Sequence, residues 1–282
     1  MIGTRPDSPT SASLPAAARL PINRCNLPAA ILGSLTFQRH PTALHIDGVA
    51  ELHRDLFERL GKLLNPEVRA RHFMDYMTMH FRLESLEDAG LTPSTGRARP
   101  NADYLRVLRG WMFDSESREG AVLKGWVESR FGLLTRYHAG ALSYSGTDAD
   151  LRYLQARASG VYNTNAIEAQ LDVLYAYCQY ELSQQKPGVE HLRLYRGVND
   201  LPEHDWLCRT ARHSGVVLLN NLNSFSSDPE RADEFGDRIL RAEVPLAKIL
   251  CFSGLVPGIL NGEKEYMVIG GIYQVELVDP PL

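Results

Sequence analysis

The amino-acid sequence predicts an α+β protein, helical in its first half and strand-rich in its second. Three observations carry that expectation. From about Val49 to Leu182 apolar residues recur at the spacing of one helix face, as in Val49, Leu52, Leu56 and Leu60, then Phe73, Met77 and Phe81. After Lys186-Pro187-Gly188 the texture changes to short apolar runs between polar turns: LRLYRGV, GVVLLNN, ILRAEV, AKILCF and YMVIGGIYQVEL. Strands and helices do not alternate along the chain, which disfavours a doubly wound parallel sheet.

With 282 residues the chain can bury one large core or two ordinary ones. Residues 1–20, MIGTRPDSPTSASLPAAARL, are rich in Ser, Pro, Ala and Thr without an apolar run of signal-peptide length, and are expected to be a disordered tail. Residues 21–282 are expected to form a single unit, with a helical half at about 45–186 and a β-rich half at about 188–278. Turn residues mark breaks at Gly90 to Pro100 and at Gly140 to Asp150. The clearest helix follows Asn165, where Ile167, Leu171, Leu174, Cys178 and Leu182 form one stripe and Asn165 with Glu168 reads as a cap and its reciprocal partner.

Composition narrows the function classes. A net charge of -4 and 44% hydrophobic residues fit a soluble protein and give no support to a nucleic-acid partner. No stretch has the uninterrupted apolar length of a membrane span. The four cysteines are far apart with no CxxC, and the nine histidines show no ligand spacing, so no metal site is expected and a reducing cytoplasm is the simplest location. Walker A, GxGxxG, HExxH and GxSxG motifs are absent, so a dinucleotide would not be held by a Rossmann loop.

Three features of the β-rich half remain as candidates for chemistry. Arg196, in Leu192-Arg-Leu-Tyr-Arg-Gly197, shares a strand face with Leu192 and Leu194. Such an arginine is a surface or edge residue, pairs with a carboxylate, or grips a phosphate, with Gly197 permitting close approach of the ligand. Next comes Asn223-Ser-Phe-Ser-Ser-Asp-Pro-Glu230, where Ser227 or Asp228 with Pro229 reads as a helix start. Capping does not explain Ser224; in a strand Ser224 and Ser226 face one way with Phe225 packed behind, and a plain sheet edge is the alternative. Finally, Gly262-Glu-Lys-Glu-Tyr266 opens the last strand, and in an extended chain Glu263 and Glu265 point to one side about 7 Å apart. A solvated charge pattern would look the same. Leu255, Val256, Ile259 and Leu260, in the loop before this pair, are candidates either for docking a protein target or for the core.

The order of strand Arg, Ser-x-Ser and Glu-x-Glu resembles the R-S-E class of ADP-ribosyltransferases. Ala232-Asp-Glu-Phe-Gly236 resembles the short helix after the class's serine element, although the class's middle threonine is Phe225 here. LPINRCNLPAAILGSLTFQRHP near the start and NTNAIEAQLD resemble the narrower family of dinitrogenase reductase ADP-ribosyltransferases of nitrogen-fixing bacteria, over about Leu20 to Leu277. That resemblance implies a core of mainly antiparallel strands, NAD as co-substrate, and transfer of ADP-ribose to one arginine of dinitrogenase reductase, the nitrogenase iron protein, which switches nitrogenase off. It implies that Arg196, Gly197, Ser224 and Ser226 bind NAD, that Glu265 stabilises the ribosyl cation, and that Glu263 acts on the acceptor guanidinium. A PII-type regulatory protein is a further implied partner. Two alternatives stay open: an arginine-specific transferase or NAD glycohydrolase with another target, and a non-enzymatic interaction protein on a degenerate transferase fold.

Overall fold

The computed structural model describes residues 13–83, 103–137, 148–160, 164–199, 205–211, 213–260 and 264–278. Its helices are α1 (Ala29–Leu32), α2 (Leu35–Arg39), α3 (Val49–Leu52), α4 (Arg54–Leu60), α5 (Pro66–Phe81), α6 (Tyr104–Phe113), α7 (Arg118–Phe131), α8 (Asp148–Gly160), α9 (Thr164–Gln185) and α10 (Pro229–Asp233). Its strands are β1 (His191–Val198), β2 (Asp205–Ala211), β3 (Ser214–Ser226), β4 (Arg238–Pro245), β5 (Ile249–Phe252) and β6 (Glu265–Val278). The α+β expectation holds, with a helical first half and an antiparallel sheet.

The sheet order is β2-β3-β1-β4-β6-β5, and β3 also pairs with β6. The pairings β3 to β6, β6 to β4, β4 to β1 and β1 to β3 therefore return on themselves. This curl brings three strand segments together at one point: Ser226 of β3 pairs with Tyr195 of β1 on one side and Glu265 of β6 on the other. Between Leu219↔Gly271 and Leu222↔Ile269, β3 carries one extra residue, a bulge at Asn220 and Asn221. Gly270 makes the bulge possible, because a Cβ there would lie 1.6 Å from the Asn220 carbonyl oxygen.

One cluster of buried apolar side chains runs through both halves, including Leu171, Leu174 and Cys178 of α9 with Leu250, Cys251 and Met267 of the sheet. The α9 stripe read from sequence is buried throughout. Polar side chains fix its placement: Tyr175 donates to the Ala247 carbonyl at 2.7 Å and Gln179 to that of Ile249 at 2.8 Å. Arg69 of α5 forks onto Glu181 of α9 at 2.6 and 2.8 Å, and Arg130 of α7 onto Asp172 at 2.7 and 2.9 Å. Such planar paired bonds fix orientation as well as distance.

Several sequence expectations change. Leu52 is 79% exposed, because the chain breaks at His53 between α3 and α4 and the single-helix phase is lost there. The long helix begins at Thr164, one residue before the expected cap, and Glu168 pairs with Arg130 at 3.0 Å. The break expected at Gly140 to Asp150 ends earlier, since α8 starts at Asp148; the one at Gly90 to Pro100 lies outside the described residues. The run AKILCF opens as a 3₁₀ turn over Leu246–Lys248 before β5. Strand β2, absent from the sequence expectation, packs Trp206 and Cys208 on the core while Leu207 is exposed. Within the expected tail, Leu14 and Ala18 are buried and Arg19 bridges to Leu133. Leu255, Val256, Ile259 and Leu260 are all at most 2% exposed, so this loop belongs to the core and is not a docking surface.

Candidate active site

Helix α6 shows how the helical half reaches the sheet. Asp103 caps it by accepting the Leu105 N–H at 2.9 Å, and Tyr104, Val107, Leu108 and Trp111 fall on one buried stripe at helical spacing. That stripe directs Trp111 at the start of β6. A buried indole needs an acceptor. The Trp111 N–H finds two, the Ser224 hydroxyl at 3.0 Å and Glu265 Oε1 at 3.1 Å. The Ser224 hydroxyl donates in turn to the same Glu265 oxygen.

Strand register explains why Ser224 meets Glu265. Ser226 lies opposite Glu265 and Ser224 opposite Met267, so Ser224 and Glu265 are diagonal neighbours on one face. Phe225 points to the other face and is buried, as alternation requires. The Ser226 hydroxyl accepts the Asp228 N–H at 3.1 Å, and Asp228, not Ser227, caps α10. Ser226 thus shapes the turn into α10 as well as lining the site.

Arg196 approaches from β1. Its Nη1 donates to the Ser224 carbonyl at 2.7 Å, while its Nε is buried without a partner. Burial pushes the guanidinium below its ordinary value and the Glu265 charge opposes that shift, yet arginine stays protonated. An anchored guanidinium with an unmatched buried donor is suited to an anionic ligand, and this atom is the observation that fits the site to a phosphate-bearing co-substrate. Gly197 lines the same cleft, but the close approach it allows in the structure is that of the α10 turn: a Cβ there would sit 2.1 Å from the Ala232 carbonyl oxygen. Arg196→Lys is expected to raise the dissociation constant for NAD about tenfold while leaving the unfolding transition in place, since an ammonium cannot reproduce the fork. Titration calorimetry checks it, and unchanged affinity would remove Arg196 from the site.

These side chains share a cleft of about 400 Å³, within the range of small-molecule sites. Arg196, Ser224, Ser226 and Glu265 line one side; Trp111, Phe113, Asp114, Glu116 and Lys124 come from the helical half. Phe113 and Phe235, 91% and 55% exposed, also line the cleft. Lys124 is buried and paired with Glu116; desolvation lowers its pKa while the carboxylate opposes the drop. Glu263 lies outside the described residues, but Lys264 has φ of 48°, so the chain turns there. The separation expected between Glu263 and Glu265 thus lies outside the described residues.

A family model described as dinitrogenase reductase ADP-ribosyltransferase matches residues 22–277, nearly the whole chain. The chain belongs to that family. A protein of Rhodospirillum rubrum named NAD(+)–dinitrogen-reductase ADP-D-ribosyltransferase is 42% identical over 258 residues, covering 90% of this chain and 93% of its own. No solved structure matches the chain. In this dinitrogenase reductase ADP-ribosyltransferase family member, the residues picked from sequence in the R and S elements converge with Glu265, whereas Trp111 and the Phe113 to Glu116 wall were missed. The signal for Trp111 was present in the Tyr104, Val107, Leu108, Trp111 stripe, but a helical stripe says nothing of what its far end touches.

Ser224→Ala removes a donor from a carboxylate that is 5% exposed. The expected result is about 1.5 kcal/mol of lost stabilisation, roughly tenfold in turnover, typical of hydrogen bonds to charged groups. Steady-state kinetics would expose a purely structural serine as lower stability with unaltered turnover.

Proposed function

We propose that this protein transfers ADP-ribose from NAD to an arginine of dinitrogenase reductase, inactivating it and releasing nicotinamide. The observation that carries the reading is the convergence of Arg196, Ser224 and Glu265 on one cleft in a chain of this family. Arg196 binds the NAD phosphates through its anchored fork. The glycosidic bond breaks with its electron pair leaving on the nicotinamide nitrogen, which becomes neutral, so no general acid is needed. What must be stabilised is the oxocarbenium-like ribose.

Glu265 supplies that stabilisation. Its carboxylate is buried, where a fixed charge acts in low dielectric and reorganises little during reaction. Ser224 and Trp111 hold it, and Arg196 keeps the site from carrying an uncompensated negative charge. The acceptor guanidinium is protonated and a poor nucleophile, so Glu263 takes its proton as the nitrogen bonds to the ribose. Among the described residues no helix is long and apolar enough to cross a membrane. We place the enzyme in the cytoplasm with its iron-protein substrate, and a PII-type protein as its regulator.

The test mixes purified protein, labelled NAD and dinitrogenase reductase. Label on one arginine of the iron protein with equimolar nicotinamide is expected. Nicotinamide release without labelled protein would reduce the reading to NAD hydrolysis, and no NAD consumption would overturn it.

A further inference from the structure

We propose that Trp111 is a positioning residue for catalysis, its indole N–H acting with the Ser224 hydroxyl to hold the Glu265 carboxylate in the orientation the reacting sugar requires. The inference rests on Glu265 being the catalytic carboxylate. The terminal torsion of a glutamate is broad and roughly two-fold, so a buried carboxylate at the first residue of a strand is not oriented by rotamer preference alone. Here both donors converge on the same oxygen, Oε1, one from β3 and one from α6. The position of each donor is set independently. Ser224 is fixed by the β3 to β6 register, and Trp111, 3% exposed, by the packed stripe of α6.

A merely structural tryptophan would be served by any backbone carbonyl. This one donates to the hydroxyl and the carboxylate that line the cleft, so its bond is charge-assisted and its geometry is passed to the reacting group. Helix α6 is in turn held from behind: Tyr104 N–H donates to Gln170 of α9 at 2.9 Å, and Gly110 lets α7 approach so closely that a Cβ there would lie 2.3 Å from Glu119 Cβ. The helical half thereby supports the carboxylate directly, not only the rim around it.

The test replaces Trp111 with 3-benzothienylalanine, which keeps the shape of indole and exchanges its N–H for sulfur, in the full-length protein. A 5-fluorotryptophan protein, which retains the donor, is the matched control. Nicotinamide release is measured at varied NAD, with thermal unfolding alongside. The donor-less protein is expected to lose about tenfold in kcat with KM for NAD within about twofold and an unchanged unfolding transition, while the fluorinated protein keeps its rate. Unchanged kcat in the donor-less protein, or a change confined to KM or to stability, would overturn the role of Trp111. Glu265→Gln is assayed in the same series: if it retains full turnover, the assignment of Glu265 fails and Trp111 falls with it. If it loses turnover and the benzothienyl protein does not, Trp111 alone is excluded.

Discussion

Glu265→Gln is expected to lower both ADP-ribose transfer to protein and slow hydrolysis of NAD by about 100-fold or more, the scale seen when one preorganised electrostatic group is removed from a transition state. The change is nearly isosteric. The amide oxygen of glutamine can still accept from Trp111 and Ser224, whose donors meet at a single oxygen, so the site should stay assembled. What disappears is the negative charge that the proposed mechanism sets against the ribosyl cation. Affinity for NAD should survive, because the proposed phosphate grip is Arg196 on a different strand, whose guanidinium is anchored on the Ser224 carbonyl. Nicotinamide release at saturating NAD, together with a binding isotherm, decides the matter. Full turnover with intact binding would take Glu265 out of the chemistry, and lost binding would make it a ligand-holding group.

The parts of this architecture legible in sequence are those set by local periodicity and by strand alternation. Ile167, Leu171, Leu174, Cys178 and Leu182 lie on one buried face because their spacing closes on a single helical stripe. Ser224 and Phe225 point to opposite faces because a strand has no other choice. Legibility fails where the backbone leaves a regular repeat. Lys264 adopts a left-handed conformation just before β6, where the sequence reads as extended, and the His53 break turns Leu52 outward. It fails again in β2, Asp205–Ala211, where Trp206, Leu207 and Cys208 run on without apolar–polar alternation in sequence and only pairing with β3, with Trp206 opposite Val217, turns Trp206 and Cys208 to the core. Apolar Leu255, Val256, Ile259 and Leu260 carry no mark separating a docking loop from a buried one, since burial depends on what the rest of the chain lays over them. The Trp111 contact spans 154 positions of sequence, and only packing of α6 against the sheet creates it.

Glu263→Gln should behave differently from Glu265→Gln, and the difference is the sharpest test of a division of labour between the two. Glu265 opens β6 and is buried against Ser224 and Trp111; the proposed mechanism assigns it to the donor sugar. Glu263 precedes the turn at Lys264, whose ammonium is drawn to Asp228 at 3.0 Å on the exposed side of the same corner. If Glu263 accepts the proton of the incoming guanidinium, its amide variant retains the charge that stabilises the ribosyl cation but cannot activate the acceptor. Transfer to the iron protein should then fall by about 100-fold, toward the upper end of the range for a positioned base. Water carries its own proton outlet to bulk solvent and can still capture the cation. Hydrolysis of NAD should therefore persist within a few-fold of the parent in the absence of acceptor, whereas Glu265→Gln loses it. The measurement is nicotinamide release with and without dinitrogenase reductase, paired with label incorporation into the acceptor. Equal loss of hydrolysis in both variants would show that the two carboxylates act on the same step, and the assignment of Glu263 to the acceptor would be wrong.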